Sequence, residues 1–560
     1  MRGRLVLSRA LIPSRMATFD GRSGRRVRAR SARALAALAL LGSVAACRPE
    51  APRGAVIRWI LSNDPPELDS AKATDVLSGF VLGHVNEGLT NYGPSGDLIP
   101  AVAVSWELRE RGSTFRLRKD ARWSDGKPVT AHDFVFAWRT VVDPKTASEY
   151  AFIMYPVRNA EAVNRGKLPP TALGVKAVDD HTLEVEYERP CAYFLGLTAF
   201  KTYLPLREDF YRSRAGRYGA SPADMLYNGP FMLTRWDRGA ALTMDKNPRY
   251  WGAARIQLDR IDIPYFTTDP NAPINLFKDG KIDFTGLGRD SIKRAQVERF
   301  RMKSYDEGTL YYVEFNHREG RPTGNLHLRR AIRLVYDGAQ YVSKVYGVPG
   351  TRPGTRLIPH WVKGLERPFH QEHPVAAVRP DKDAALRELE LAKQELGGKI
   401  PELVWLTGDG PGAAREAEYF QWILKSRLGI DLRIDKQVFQ QRLARMTSGD
   451  FDLVSAGWGP DYDDAMTFAD LWTSWNENNR GRWKDARYDA LIKEALNTAD
   501  PRRRLAAMAE AERIALDQVV VLPLYETGSV FTESKRVRGV LRRRFGTDPD
   551  FTYASVVEER

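Results

Sequence analysis

The stretch Gly457-Trp458-Gly459-Pro460-Asp461-Tyr462-Asp463-Asp464 crowds two aromatic rings and three carboxylates into a Gly/Pro turn. The chemistry it suggests is charge recognition. A carboxylate held between a Trp and a Tyr has little water around it, so it favours an organic cation such as an amine over a hydrated ion. The same residues also read as a solvated acidic turn whose Trp packs into the core. Context bears on the choice. The turn follows the apolar, strand-like Phe451 to Ala456 and precedes the apolar Met466 to Trp472. Strand ends in α/β layers are where ligands usually bind.

Catalytic apparatus is absent from the sequence. There is no Gly-x-Ser-x-Gly elbow, no His-Glu-x-x-His, no P-loop and no Rossmann glycine set after a strand. Asp463 and Asp464 are adjacent and point apart on an extended chain, so they do not form an acid/base pair. The segment His370-Gln371-Glu372-His373 has the residue types of a metal site. Prolines bound it and no helix aligns the two rings, so it reads as a surface loop. No metal, cofactor or catalytic residue is expected, and the chain is not expected to be an enzyme.

The elements that must position the acidic turn are mixed. Strand-like runs include Ala55 to Leu61, Ser113 to Arg118, His181 to Tyr187, Ala241 to Lys246, Leu258 to Phe266, Thr309 to Asn316, Glu402 to Thr407, Ile430 to Asp435, Phe451 to Trp458 and Val519 to Tyr525. Helical periodicity covers Ala131 to Val142, Leu328 to Tyr346, Asp381 to Leu396, Ala414 to Leu428 and Asp500 to Gln518. Thr130 ahead of Asp133, and Asp500 ahead of Pro501, are helix starts. The mixture predicts α/β and α+β lobes rather than a sandwich or a bundle.

Composition sets the class. A chain of 560 residues is too long for one core. Its 43% apolar content and 13 Trp exclude a disordered chain and suggest that some rings line a groove. The net charge of +14 invites a nucleic-acid reading, but residues 1–47 hold ten Arg and one Asp and so account for nine of those charges. The body carries only about +5, with both signs interspersed, and nucleic acid is not an expected partner.

The leader is an export signal. Arg22, Arg25, Arg26, Arg28, Arg30 and Arg33 precede the apolar Ala34 to Ala46, which is too short to span a bilayer permanently. Val44-Ala45-Ala46-Cys47 resembles a lipobox. Cleavage before Cys47 and its acylation would leave a two-signal membrane anchor, followed by a short polar linker from Arg48 to Ala55. An ordinary cleaved secretory signal with an incidental Cys is the alternative, and Met16 is a second candidate start. With Cys47 lipidated, Cys191 is the single remaining thiol, so no intrachain disulfide is expected. Its apolar neighbours predict a buried, unreactive group.

Five ordered segments carry a resemblance: Trp123 to Ala151, Leu173 to Leu197, Tyr227 to Gly252, Leu310 to Ile332, and Ser455 to Trp472. Together they closely resemble bacterial oligopeptide-binding proteins, the solute-binding components of ABC peptide importers. The likeness runs from about Val56 to near Tyr525. It implies an α/β, two-lobed, periplasmic-binding-protein-like fold with an extra domain, closing on a ligand. By resemblance, residues 55–85, 212–303 and 528–560 form lobe I, residues 86–211 the extra domain, and residues 304–527 lobe II, after a signal peptide (1–47) and linker (48–55).

The resemblance also implies roles. An importer that accepts many side chains must bind what every peptide shares, the backbone and the charged amine. Asp461 matches the family aspartate that pairs with the ligand's α-amino group. Trp458, Tyr150, Phe439 and Glu314 match cleft positions. Backbone bonds are expected from strand edges at Val76, Leu77 and Ser78 and at Gly457 to Gly459. Departures appear at the other end of the ligand. Ser455 stands where the family pattern has an Arg, and other basic residues that receive the carboxylate are missing, although Arg442 and Arg445 lie near. Thr309 and Gly459 replace a Cys pair found in some relatives. The expected partners are short peptides, importer permease subunits and a membrane reached through the lipid anchor; the expected location is the periplasm or cell surface, as a monomer. Alternatives are a murein peptide or other amino-acid conjugate as ligand, a peptide-directed hydrolase, and a chaperone or adhesin using the same groove.

Overall fold

Two long antiparallel strands, Met302–Phe315 and Val521–Glu533, lie at the centre of a seven-stranded sheet in the computed structural model, which describes residues 54–269 and 271–557. Sheet order places Phe284–Leu287 outside Val521–Glu533, which also pairs with the short Arg352–Pro353. On the other side, Met302–Phe315 is followed by Leu453–Trp458, Leu403–Gly408 and Leu432–Gln437. The last three strands run parallel to one another. Parallel neighbours need crossovers, supplied by the helices Pro411–Leu428 and Phe439–Ser448. Both helices stop at glycines in the left-handed region, Gly429 (φ 71°) and Gly449 (φ 78°), which let the chain turn back into the sheet. The longer helix buries Ala417, Phe420, Leu424 and Leu428, and Phe420 stacks on Trp405 with ring centroids 4.6 Å apart. All three parallel strands end at the same edge, where Gly408 and Trp458 meet a cavity.

The boundaries expected at 303/304 and 527/528 fall inside the two long strands. There the pairing slips: Asp306 faces Gly528, but the next partners are Leu310 and Glu526. Three residues of one strand thus oppose one of the other, a bulge that bends both where the polypeptide passes twice.

Two further four-stranded sheets precede this region. One contains Val56–Arg58, Arg260–Ile263, Ala241–Lys246 and Phe231–Asp237 in that spatial order. The other is an antiparallel sheet of Ala103–Arg109, Gly112–Leu117, Thr182–Glu186 and Val175–Asp179 in that spatial order. The helix Ala131–Val142 packs on this sheet from the predicted start. Asp133 accepts the Thr130 main-chain N–H at 2.8 Å and the Trp123 indole N–H at 3.1 Å, so one carboxylate caps the helix and ties it to a buried ring.

Three sequence expectations need correction. The helix expected over Leu328 to Tyr346 is two pieces. It runs Leu326–Val335, breaks at Tyr336 (ψ 124°), and resumes at Gly338 as a turn that widens into a π-type coil over Tyr341–Tyr346. Asp337 causes the restart by accepting the Gln340 N–H at 2.9 Å, while the Tyr336 hydroxyl is drawn to the Leu524 carbonyl at 3.0 Å. Val76 to Ser78 are not a strand edge. They open the helix Val76–Val85, and Asp75 accepts the N–H groups of Leu77 and Ser78, both at 2.9 Å. His370 and Glu372 lie on a short helical turn, Phe369–Glu372, rather than a loop. Glu372 accepts main-chain N–H groups from Leu365, Glu366 and Arg367, which holds its carboxyl down at about 2. Cys191 is half-buried, with its thiol pushed up to about 12 by burial.

Candidate functional site

A cavity of about 1090 Å³ lies at the ends of the parallel strands. Segments far apart in sequence line it: Asp75 to Leu77, Tyr150, Phe200-Lys201, Thr407 to Gly410, Phe439 and Arg442, and Ser455 to Asp461. Of the residues singled out from the sequence, Val76, Leu77, Tyr150, Phe439, Gly457, Trp458, Gly459 and Asp461 all reach this wall. Glu314 does not. Its side chain is buried, accepts the Gly481 N–H at 2.6 Å, and is pushed up to about 7 by that burial.

The acidic turn is built as follows. Strand Leu453–Trp458 pairs with Met302–Phe315 along its whole length, but its pairing with Leu403–Gly408 stops at Val454. From Ser455 onward the second edge is open, and Gly457 is exposed on it. Gly457 has a steric reason to be glycine. A Cβ there would meet the Tyr311 ring at 2.9 Å, so the missing side chain lets that ring lie on the strand. Beyond the strand, the Thr467 hydroxyl accepts the Asp461 N–H at 3.1 Å and sits 3.4 Å from the Trp458 indole N–H. The turn is thereby pinned to the following helix, and the Asp461 carboxylate is left directed into the cavity.

A stacked pair lines the cavity, Tyr150 lying parallel to Trp458 (6.1 Å, 7°). In the core beside the turn, Tyr193 lies parallel to Tyr462 (4.7 Å, 6°). Asp463 and Asp464 serve the scaffold: Asp464 takes both Nη groups of Arg504 at 2.6 and 2.9 Å, and Asp463 meets Lys363 at 3.1 Å.

Lys201, which sequence reasoning missed, faces Asp461. Its ammonium stands 4.1 Å from the Phe200 ring centroid and 4.7 Å from that of Tyr150. Burial lowers its pKa, opposed by Asp461 and Asp75. Burial pushes the Asp461 carboxyl up to about 7, against the opposite pull of Lys201 and of the Tyr150 hydroxyl. Two carboxylates facing one ammonium leave a single negative charge to be matched, and one organic cation matches it. No motif marks Lys201; it lies in a different sheet's territory and only the fold brings it to the turn. Among the described residues, no group of three His, Cys, Asp or Glu is placed to hold a metal ion.

This architecture has clear counterparts. Residues 97–480 match the bacterial extracellular solute-binding proteins, family 5. The oligopeptide-binding protein OppA of Bacillus subtilis is 28% identical over 496 residues, covering 86% of this chain and 89% of that protein. A probable deoxycholate-binding periplasmic protein of Escherichia coli, YgiS, is 32% identical over 502 residues, covering 86% and 90%. The substrate-binding domain of an oligopeptide ABC transporter from Bacillus anthracis superposes with a TM-score of 0.86 at 35% identity, covering 90% of this chain and 99% of that one. The fold is that of a solute-binding protein, a class that binds without catalysing. The chain belongs to the family 5 extracellular solute-binding proteins.

Proposed function

We propose that this protein captures short peptides between its lobes and delivers them to the permease of an ABC importer. One observation carries this reading: the half-buried Asp461 carboxylate stands beyond the end of an unpaired strand edge on the wall of a large cavity. That combination offers backbone hydrogen bonds to any extended chain and one countercharge to its amine. In this reading residues 55–85, 212–303 and 528–560 form lobe I, residues 86–211 the extra domain and residues 304–527 lobe II. The bulge at Asp306–Leu310 is the hinge, and the Tyr150–Trp458 stack forms on closure. Val76, Leu77, Gly457 and Gly459 supply backbone contacts, and Trp458 and Phe439 wall the side-chain pockets. Two relatives named for oligopeptides support this ligand class.

A second ligand class is favoured by a specific feature. Tyr311, Tyr346 and Tyr525 give the cavity a flat aromatic side suited to a rigid ring system, and the 32% identical relative is named for deoxycholate. Incubating the purified protein with a random peptide library and, separately, with deoxycholate, then reading bound species by native mass spectrometry, decides between them. Intact short peptides on the protein are expected. Retention of deoxycholate with no peptide would replace the reading.

The leader, which lies outside the described residues, supplies the tether. Acylated Cys47 holds the protein at the membrane, facing the periplasm or the cell exterior, as a monomer. No helix among the described residues is long and apolar enough to cross a membrane. Cys47→Ser is therefore expected to move the protein from the membrane to the soluble fraction and to abolish incorporation of labelled fatty acid. Continued labelling would refute the anchor.

A further inference from the structure

A second cavity, of about 450 Å³, shares no lining residue with the first. It is a crevice between segments distant in sequence. One wall comes from residues 155–189, built on the short helix Ala160–Asn164 and on the chain that leaves strand Thr182–Glu186. The other is Trp475 with the last turn of the helix Ala486–Asn497. In the proposed architecture these walls belong to different bodies, the extra domain and lobe II.

The charges in the crevice do not balance. Arg165, Lys167 and Arg189 reach it from the first wall and Lys493 from the second, against the carboxylates of Glu161 and Glu188. Both carboxylates are engaged within their own wall. Glu161 pairs with Arg165 at 2.8 Å, and Glu188 accepts the Asn159 main-chain N–H at 2.9 Å. Among the described residues, no carboxylate forms an ion pair with Lys167, Arg189 or Lys493. Arg189 is half-buried, and the two lysines are exposed at the rim. Asp470 feels the Arg189 charge, yet burial holds that carboxyl toward its protonated form, so it does little to neutralise the guanidinium. Lys493 is held by the Trp475 ring, whose centroid lies 5.1 Å from its ammonium. Cations converging from two sides suit a compact anion that spreads its charge over several oxygens. Phosphate is such a group, able to accept from a guanidinium and from ammonium groups at once.

We infer that this crevice is a second binding site, for a soluble phosphate compound, and that its occupation favours the closed protein. Closure brings Lys493 up to three cations on the opposite wall. That approach is repulsive, though softened by water and salt. An anion shared by both walls turns the repulsion into attraction. It makes all its contacts only when the walls are together, so it favours closure, and bound peptide favours it by the same factor. The site rests on the crevice and its charges, and the coupling rests on the peptide-binding reading.

Calorimetric titration of inorganic phosphate tests this, with and without the best-bound library peptide, at an ionic strength held constant with chloride. One phosphate is expected per chain, bound about fivefold more tightly when peptide is present. The reciprocal titration should show the same fivefold gain in peptide affinity. Replacing both Arg189→Gln and Lys493→Gln should abolish phosphate binding and leave peptide affinity in chloride within about twofold. Absence of phosphate binding, or binding that survives the double substitution, overturns the site. Phosphate binding that leaves peptide affinity unchanged overturns the coupling alone. Flotation with phosphatidylglycerol vesicles, lost in the double variant and accompanied by no binding of free phosphate, would give the crevice to a lipid headgroup and overturn the soluble ligand. If phosphate binds and no peptide of any length does, the peptide reading falls and the site stands.

Discussion

Asp461→Asn is expected to weaken binding of peptides with a free α-amino group by about two to four orders of magnitude. Asparagine keeps the shape and removes the charge, so the ligand ammonium would enter a buried site facing only Asp75 and the like-charged Lys201. Breaking one partner of a buried ion pair costs about 3–5 kcal/mol because the other charge is left uncompensated. Stability should not suffer. The Asp461 carboxylate supports no main-chain group; the bond that fixes the turn runs from its backbone N–H to Thr467 and survives the substitution. Burial already disfavours the charged form, so the ligand-free variant should unfold at the same temperature or higher near pH 8. An N-acetylated peptide, which brings no cation, is the control, and Asp461→Asn should leave its affinity nearly unchanged. Calorimetric Kd values for the paired peptides check this, and an unaltered Kd for the free-amine peptide would remove Asp461 from the amine site.

The lining of this cavity was legible in the sequence mainly through the family resemblance, with one local signal beside it. A Gly/Pro turn after an apolar run places its side chains at a strand end whatever the rest of the chain does, which is why Trp458, Gly459 and Asp461 arrive at the cavity. The helix Ala131–Val142 was equally readable because Thr130 and Asp133 satisfy each other's neighbours within one turn. Failures occur where a distant partner outbids local preference. Tyr336 leaves its helix because the Leu524 carbonyl, 188 positions away, takes its hydroxyl. Val76 and Leu77 reach the cavity as a capped helix start rather than an edge, since Asp75 can cap them and no strand lies beside them. Glu314 has the alternation of a cavity residue, yet Gly481 approaches so closely that its N–H claims the carboxylate. Lys201 carries no sequence signal at all; it matters because the fold sets its ammonium opposite Asp461 and Asp75, residues far from it in the chain.

Binding should also depend on pH in a way that assigns the amine site. In the ligand-free protein burial raises the Asp461 carboxyl from its ordinary 3.8 to about 7. An incoming ammonium needs the ionised form, so below pH 7 a proton must leave before the ligand can pair. Affinity should therefore drop about tenfold per pH unit below 7, reaching about a hundredfold loss at pH 5. On the alkaline side the ligand's own amine, with a pKa near 7.7–8.0, loses its charge, and affinity should fall again. The expected optimum lies at about pH 7–8. Stability runs in the complementary sense. A carboxyl whose folded pKa exceeds its unfolded one makes the ligand-free protein progressively less stable from about pH 4 to pH 7, with no further loss above, and a bound cation removes that cost. Ligand should thus raise the unfolding temperature more at pH 7.5 than at pH 5. Glu314 and Glu87, both pushed up to about 7, titrate over the same interval and shift the baseline. They remain in Asp461→Asn, so subtracting its profile isolates the one carboxylate. If the acid limb of the affinity profile persists unchanged in Asp461→Asn, another group reads the amine and Asp461 loses that role.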